Sequence, residues 1–487
     1  MESAASLEFH PNAVAAPFWR GLRVGVLLAG ATCVSAQEAT PLAIRRAPYP
    51  LDADKPAPIA AELGTLSVPE NRDAPESRSL ELCFVRLPST AAELGAPIVY
   101  LAGGPGSGGI EALGGPRGHI LRRLRAVADV IVLDQRGTGQ SSPLPTCEPE
   151  TELAPTDLTG ASIAAYFRRE FAHCLAAWRA AGIDPRGYDL GDSVADLEDL
   201  RRALGAERLR FVSISFGGQL AMAYMRLHPE RVERAVFASP RALHQTLRLP
   251  ANIDAFLVRV CGEELAERMR YVHACLDEEP AGVTLPARGS SPPVEMRFDS
   301  WPVRYIVAFF LLNDARGVAQ LPALYAQMEQ GDHSKMAASI LAFGLDPQRG
   351  RFNNFRGMGE LMDLSSACSA ERLALWRSQL EGSILGDAHG FPLPQGLDLD
   401  PSLGIPQVLQ EKLVSTTPSL FISASHDGRT PREEVREALS GFAQGQLLCV
   451  ENGGHNVLEQ GEEIEAAVER FLREGTLAAP EIKLPAP

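Results

Sequence analysis

A doubly wound, mostly parallel α/β sheet, interrupted late in the chain by a helical insertion, is the architecture this 487-residue sequence predicts. Three observations carry that reading. Short continuous apolar runs stop at glycine-rich turns, as strands buried on both faces do. Amphipathic helical segments alternate with those runs, which is the plan of a parallel sheet. The strand rhythm then stops between about residues 246 and 405 and resumes afterwards.

Composition narrows the function classes. With 45% hydrophobic and 22% charged residues the chain has the balance of a globular protein, not of a disordered or collagen-like one. The net charge of −15 comes without clustered Lys and Arg, which argues against a nucleic-acid partner.

The N-terminus reads as a removable export leader. Arg20 and Arg23 precede the apolar run Val24 to Val34, shorter than the roughly 20 residues a spanning helix needs. Val34-Ser35-Ala36 then places small residues at a cleavage site, so residues 1–36 are expected to leave as a signal peptide. The expected address is periplasmic or secreted, with no membrane insertion once the leader is gone. Residues 37–58, rich in Pro and Ala, read as a leader arm, and 59–245 as the first part of the α/β core.

Within that core, Gly64 to Val68 and Leu80 to Leu87 are strand-like. Pro97 to Leu101 and Val130 to Leu133 are continuous apolar runs, ending in Ala102-Gly103-Gly104-Pro105-Gly106 and Asp134-Gln135-Arg136-Gly137 respectively. Asp192 is the expected N-cap of a helix with Val194, Leu197, Leu200 and Leu204 inward. The run Leu209 to Ile214 follows, then a helix carrying Leu220, Tyr224 and Leu227. Residues 246–405 read as helices and loops. Strands return at Leu420 to Ser423 and Leu447 to Val450, within a second core segment, 406–478.

Removal of the leader leaves an odd number of cysteines, so at least one thiol stays free or pairs between chains. Cys147 and Cys174 are a feasible pair. Cys261 and Cys275 on one straight helix would be separated by about 21 Å, so they could pair only if the helix broke, for instance at Gly262. No Cys/His spacing or HExxH points to a metal, and no cofactor is expected.

The chemistry concentrates on Ser213-Ile214-Ser215-Phe216-Gly217-Gly218, between a strand and a helix. A serine on such a sharp turn is pushed out of the sheet, and the following helix N-terminus favours negative charge beside it. Ser215 needs a base, and the base an orienting carboxylate. Asp427 and His455 each follow a later strand run, in the order serine, acid, histidine. His426 is the rival base, but its side chain would tend to diverge from that of adjacent Asp427. Oxyanion donors are expected from the backbone N–H groups of Gly104 and Phe216.

Assembled in this order, the chain resembles the α/β-hydrolase superfamily, and more narrowly the prolyl aminopeptidase and tripeptidyl aminopeptidase group of serine peptidases. The resemblance runs from about Leu63 to Leu472. It rests on Gly103 to Gly106, on Asp134 to Ser141, on the serine elbow and on Asp427-Gly428-Arg429-Thr430-Pro431. It implies Ser215 as nucleophile, Asp427 as acid and His455 as base, under a helical cap inserted before the acid-bearing strand. The Asp134 to Ser141 segment is expected to be structural. Two positions depart from the pattern: Ser213 replaces the first elbow glycine, and Ala102 stands where prolyl aminopeptidases carry His. An aminopeptidase also needs a carboxylate facing the substrate ammonium; in the family the cap supplies it, and Glu371 is the candidate. The implied substrate is a peptide, with a small ester or amide as the alternative. A degenerate hydrolase fold used only for binding is the non-enzymatic reading.

Overall fold

The computed structural model describes residues 43–52, 58–287, 292–346, 351–352 and 357–486. The expected signal peptide, residues 1–36, and its expected cleavage site lie outside the described residues. Ten strands form one sheet in the order β1-β2-β3-β5-β4-β6-β7-β12-β13-β14. In chain order these are β1 (Arg45–Tyr49), β2 (Ala61–Pro69), β3 (Ser79–Leu87), β4 (Ile98–Leu101), β5 (Val130–Leu133), β6 (Leu209–Ile214) and β7 (Val232–Ala238). After two hairpins outside the sheet, β8 (Ala281–Leu285) with β9 (Val294–Phe298) and β10 (Leu345–Asp346) with β11 (Arg351–Phe352), come β12 (Ser419–Ala424), β13 (Gly445–Glu451) and β14 (Glu481–Lys483).

The first strands pair antiparallel; β5, β4, β6, β7, β12, β13 and β14 pair in parallel. Every residue of β4, β5, β6 and β12 is buried. That two-sided burial is why their sequences read as unbroken apolar runs. One face of the sheet packs under the helices Leu190–Ala203 and Phe216–Leu227, the other under the helix Glu462–Glu474.

Several elements differ from the sequence reading. Within the expected leader arm, Arg45–Tyr49 pairs with β2 as an edge strand. Its residues are mostly exposed, so backbone hydrogen bonds rather than an apolar pattern hold it, and Pro48 is tolerated at an edge. The sheet also runs past residue 478, because β14 adds to β13. Asp189, not Asp192, caps its helix: its carboxylate accepts from Asp192 N–H at 2.8 Å. Asp192 instead meets Arg72 at 3.2 Å.

The insertion between β7 and β12 is mainly helical, but it carries the hairpin β8–β9, where helices and loops alone were expected. Its apolar core also recruits Leu153, Leu158, Ile163 and Tyr166 from far upstream. Backbone bonds fix that junction: Leu158 N–H donates to Arg297 O at 2.9 Å, and Arg297 N–H to Pro155 O at 2.9 Å. The helix Pro250–Cys261 stops at Gly262 (φ 83°) and a new helix runs over Glu263–Glu278, yet Cys261 and Cys275 are both free. Cys147 and Cys174 are disulfide-bonded, with Cα atoms 5.5 Å apart. Among the described residues no helix is long and apolar enough to cross a membrane, and no group of three or more His, Cys, Asp or Glu could hold a metal ion.

Candidate active site

Ser215 sits between β6 and the helix Phe216–Leu227 with φ 53° and ψ −121°, a conformation that L-residues rarely adopt. The surrounding backbone over-determines it. Ser215 N–H donates to Ala238 O at 3.2 Å, and its own carbonyl accepts from Gly218 N–H at 2.9 Å and Arg241 N–H at 3.0 Å. Any side chain at Gly217 would strike the carbonyl of Leu101, so the turn requires glycine there. Ser213 causes no disruption at the first position of the elbow: it is fully buried and donates its hydroxyl to Val236 O at 3.0 Å on the neighbouring strand.

The glycine loop after β4 lies against this turn. A Cβ on Gly103 would stand 2.9 Å from Ser215 Cβ. Gly104 has φ 113°, open only to glycine, so its peptide can turn toward the serine. The N–H of Phe216, first residue of its helix, has no intrahelical partner. The Asp134 to Ser141 segment supports the loop from below. Asp134 accepts from Ile110 N–H at 2.8 Å and Gln140 N–H at 2.7 Å; Gln135 donates to Ala102 O at 2.9 Å. The fully buried Arg136 guanidinium grips Asp196 at 2.6 and 2.7 Å.

Asp427 and His455 follow β12 and β13, adjacent parallel strands, and so end at the same edge of the sheet. His455 Nδ1 lies 3.0 and 3.1 Å from the two Asp427 oxygens, which assigns the ring proton to Nδ1 and leaves the Nε2 lone pair available. Asp427 is completely buried and also accepts from Arg429 N–H (2.9 Å), Thr430 N–H (3.0 Å) and the Thr430 hydroxyl (2.6 Å). Burial alone would push its carboxyl up. The neighbouring His455 ring and these hydrogen bonds outweigh burial and hold it below the usual carboxylate range. The His426 ring bonds instead to the Ser425 hydroxyl at 3.1 Å. Neither the Ser215 hydroxyl nor His455 Nε2 has a hydrogen-bond partner among the described residues; such bonds commonly tighten only once substrate is bound.

Ser215, Gly104 and Phe216 line a cavity of about 440 Å³. Its roof is Tyr305, Phe309 and Phe310 from the insertion, with Tyr166 and Phe391 beside them. The same insertion holds the loops of Asp427 and His455: Gly428 N–H donates to Leu312 O at 2.8 Å, and His455 N–H to Asn313 O at 2.7 Å. Glu371 is not on the cavity wall. It is exposed on the first turn of the helix Ala370–Ser378. The carboxylates that line the cavity are Glu360 and Asp363, on the helix Met358–Ser366, and Glu434. Only the folding of the insertion selects them, so neither motif nor spacing marks them in the sequence.

Two family models match the chain. Residues 96–259 match the alpha/beta hydrolase fold, and residues 400–483 match the family described as TAP-like protein. The first match spans Ser215 and its glycine loop, and the second Asp427 and His455. The chain belongs to the α/β-hydrolase superfamily. Among curated relatives of this α/β-hydrolase, Serine protease Hip1 of Mycobacterium tuberculosis is 24% identical over 463 residues, 86% of each chain. Tripeptidyl aminopeptidase of Streptomyces coelicolor is 25% identical over 198 residues, covering 39% of this chain and 36% of the relative. Proline iminopeptidase of Neisseria gonorrhoeae is 28% identical over 143 residues, 29% and 32% of the two chains.

Proposed function

We propose that this α/β-hydrolase is an exported serine peptidase that releases residues or short peptides from peptide N-termini through an acyl-enzyme on Ser215. The observation that carries the reading is the buried Asp427 carboxylate bonded to His455 Nδ1, at the same sheet edge as a serine held at positive φ beside a cavity lined by the insertion. His455 Nε2 takes the Ser215 proton as Oγ attacks the scissile carbonyl carbon. Asp427 holds the imidazole and stabilises its charged form. The N–H groups of Gly104 and Phe216 receive the oxyanion, each such donor contributing about 3–4 kcal/mol of barrier lowering. The imidazolium then protonates the leaving amine, and a water deprotonated by His455 hydrolyses the ester.

The cover of Tyr305, Phe309 and Phe310 over the cavity favours chain ends over the middle of a folded chain. Glu360 on its wall is the carboxylate placed to meet a substrate ammonium, in the role expected of Glu371; Asp363 beside it pairs with Arg241. The peptidase names of the relatives support an amide rather than an ester as the scissile bond. For export, the support is the leader, removed after Ala36, and the Cys147–Cys174 disulfide, a bond that persists in oxidising compartments.

A fluorophosphonate probe should label wild type and not Ser215→Ala, and that variant should cleave neither aminoacyl nor tripeptidyl anilides. Normal turnover by Ser215→Ala would end the mechanism. Fast p-nitrophenyl ester cleavage without any amide cleavage would move the assignment to an esterase.

A further inference from the structure

Three arginines far apart in sequence meet on the wall of the Ser215 cavity: Arg241 and Arg248, after β7, and Arg429, after β12. Protein groups leave their charge poorly answered. Arg241 pairs with Asp363 and donates Nε to Gln219 at 2.7 Å, but its Nη2 is buried without a partner. Arg248 donates only to main-chain carbonyls, Arg429 O at 2.8 Å and His389 O at 2.7 Å. Arg429 makes one long bond, 3.5 Å to Phe309 O, and its Nε is buried without a partner. Neither Arg248 nor Arg429 has a carboxylate within ion-pair distance among the described residues.

Three nearby carboxylates are committed elsewhere. Asp363 serves Arg241. Glu434 meets Arg372 at 2.9 Å, the Leu249 N–H at 2.9 Å and Asn252 at 2.8 Å. Asp427 serves His455 and Thr430. Arg248 and Arg429 lie against the Phe309 ring, 5.6 and 5.0 Å from its centre, so the ring holds the two guanidiniums close together. Burial, and then repulsion from Arg429 and Arg241, hold Arg248 below its ordinary value; burial does the same to Arg429. Cations placed in this way are destabilising until an anion arrives, and a planar guanidinium matches a carboxylate through paired N–H···O bonds.

We infer that the cavity takes a substrate bearing a carboxylate, bound by Arg248 and Arg429 in the chamber that Ser215 faces. This rests on the reading of Ser215 as the nucleophile. The carboxylate is either an acidic side chain or the free C-terminus of a short peptide. The arginines then select among peptides that the triad alone would cleave indifferently.

Matched substrates test it in the wild-type protein. Tripeptidyl anilides ending in Glu and in Gln compare the side chain; a tetrapeptide and its C-terminal amide compare the terminus. A kcat/KM ratio of at least ~10 for the charged member of the first pair assigns the side chain, and of the second pair the terminus, the size expected of a charge-assisted hydrogen bond. In Arg248→Gln and Arg429→Gln that ratio should fall toward one, with Arg248→Lys retaining part of it. Equal rates within both pairs, or a preference that survives both Gln substitutions in folded protein, would overturn the inference. Neutral anilide turnover that disappears in Ser215→Ala reports on the triad separately, so the two readings fail independently.

Discussion

The backbone N–H of His455 donates to the carbonyl of Asn313 at 2.7 Å, so the loop carrying the imidazole is fastened to the insertion over the cavity. Its neighbour Gly454 makes that approach possible, since a Cβ there would stand 2.5 Å from the same carbonyl oxygen. Gly454→Ala should displace the imidazole while leaving the sheet intact. A displacement near 1 Å costs about 100-fold in rate. Steady-state kinetics should show that loss of kcat/KM in a variant whose circular dichroism matches wild type.

Asp427→Asn keeps the shape of the carboxylate but removes its charge and permits the wrong imidazole tautomer. The expected fall in kcat is on the order of 10⁴. Pre-steady-state acylation with a chromogenic anilide should locate the loss in the chemical step, with substrate affinity nearly unchanged.

Ser213→Gly restores the usual elbow sequence and removes the bond to Val236 O. Stability should fall by about 1 kcal/mol for the hydrogen bond, plus a contribution from the added chain freedom of glycine. Activity should remain close to wild type, as denaturant melts and kinetics on the same preparation would show.

The Cys147–Cys174 bridge spans 27 positions. Chain-entropy arguments put its stabilisation at about 3.5 kcal/mol. The double variant Cys147→Ser/Cys174→Ser should unfold at lower denaturant concentration, and dithiothreitol should lower the wild-type midpoint but not that of the variant.

Glu198 gives the acid response a defined component. Burial pushes its carboxyl up, but hydrogen bonds from Arg201 and Tyr224 bring it down to about 2. A carboxyl lowered in the folded state stabilises above its ordinary value near 4.3, and that contribution is lost as pH falls toward 2. Melting temperature against pH should therefore be flatter in Glu198→Gln than in wild type between about pH 4.5 and pH 2.

What could be read from sequence follows from where the information lies. β4, β5, β6 and β12 announce themselves because burial on both faces demands apolar residues at every position. Ser215, Asp427 and His455 stand out because parallel strands deliver their trailing loops to one edge. β1 could not be found this way: its side chains face solvent and its backbone does the pairing. Nor could the cavity wall, where Arg241, Arg248 and Arg429, or Glu360 and Asp363, become neighbours only after the insertion folds. Glu371, the carboxylate expected to face the substrate ammonium, ends in solvent for the same reason.

The backbone of Ser215 sets stability against activity at one position. A non-glycine residue at φ 53° carries on the order of 1–3 kcal/mol of conformational strain. The sheet tolerates that load because its central strands are completely enclosed. Replacing Ser215 by glycine would relieve the strain and abolish attack at once, leaving a sturdier but inert protein.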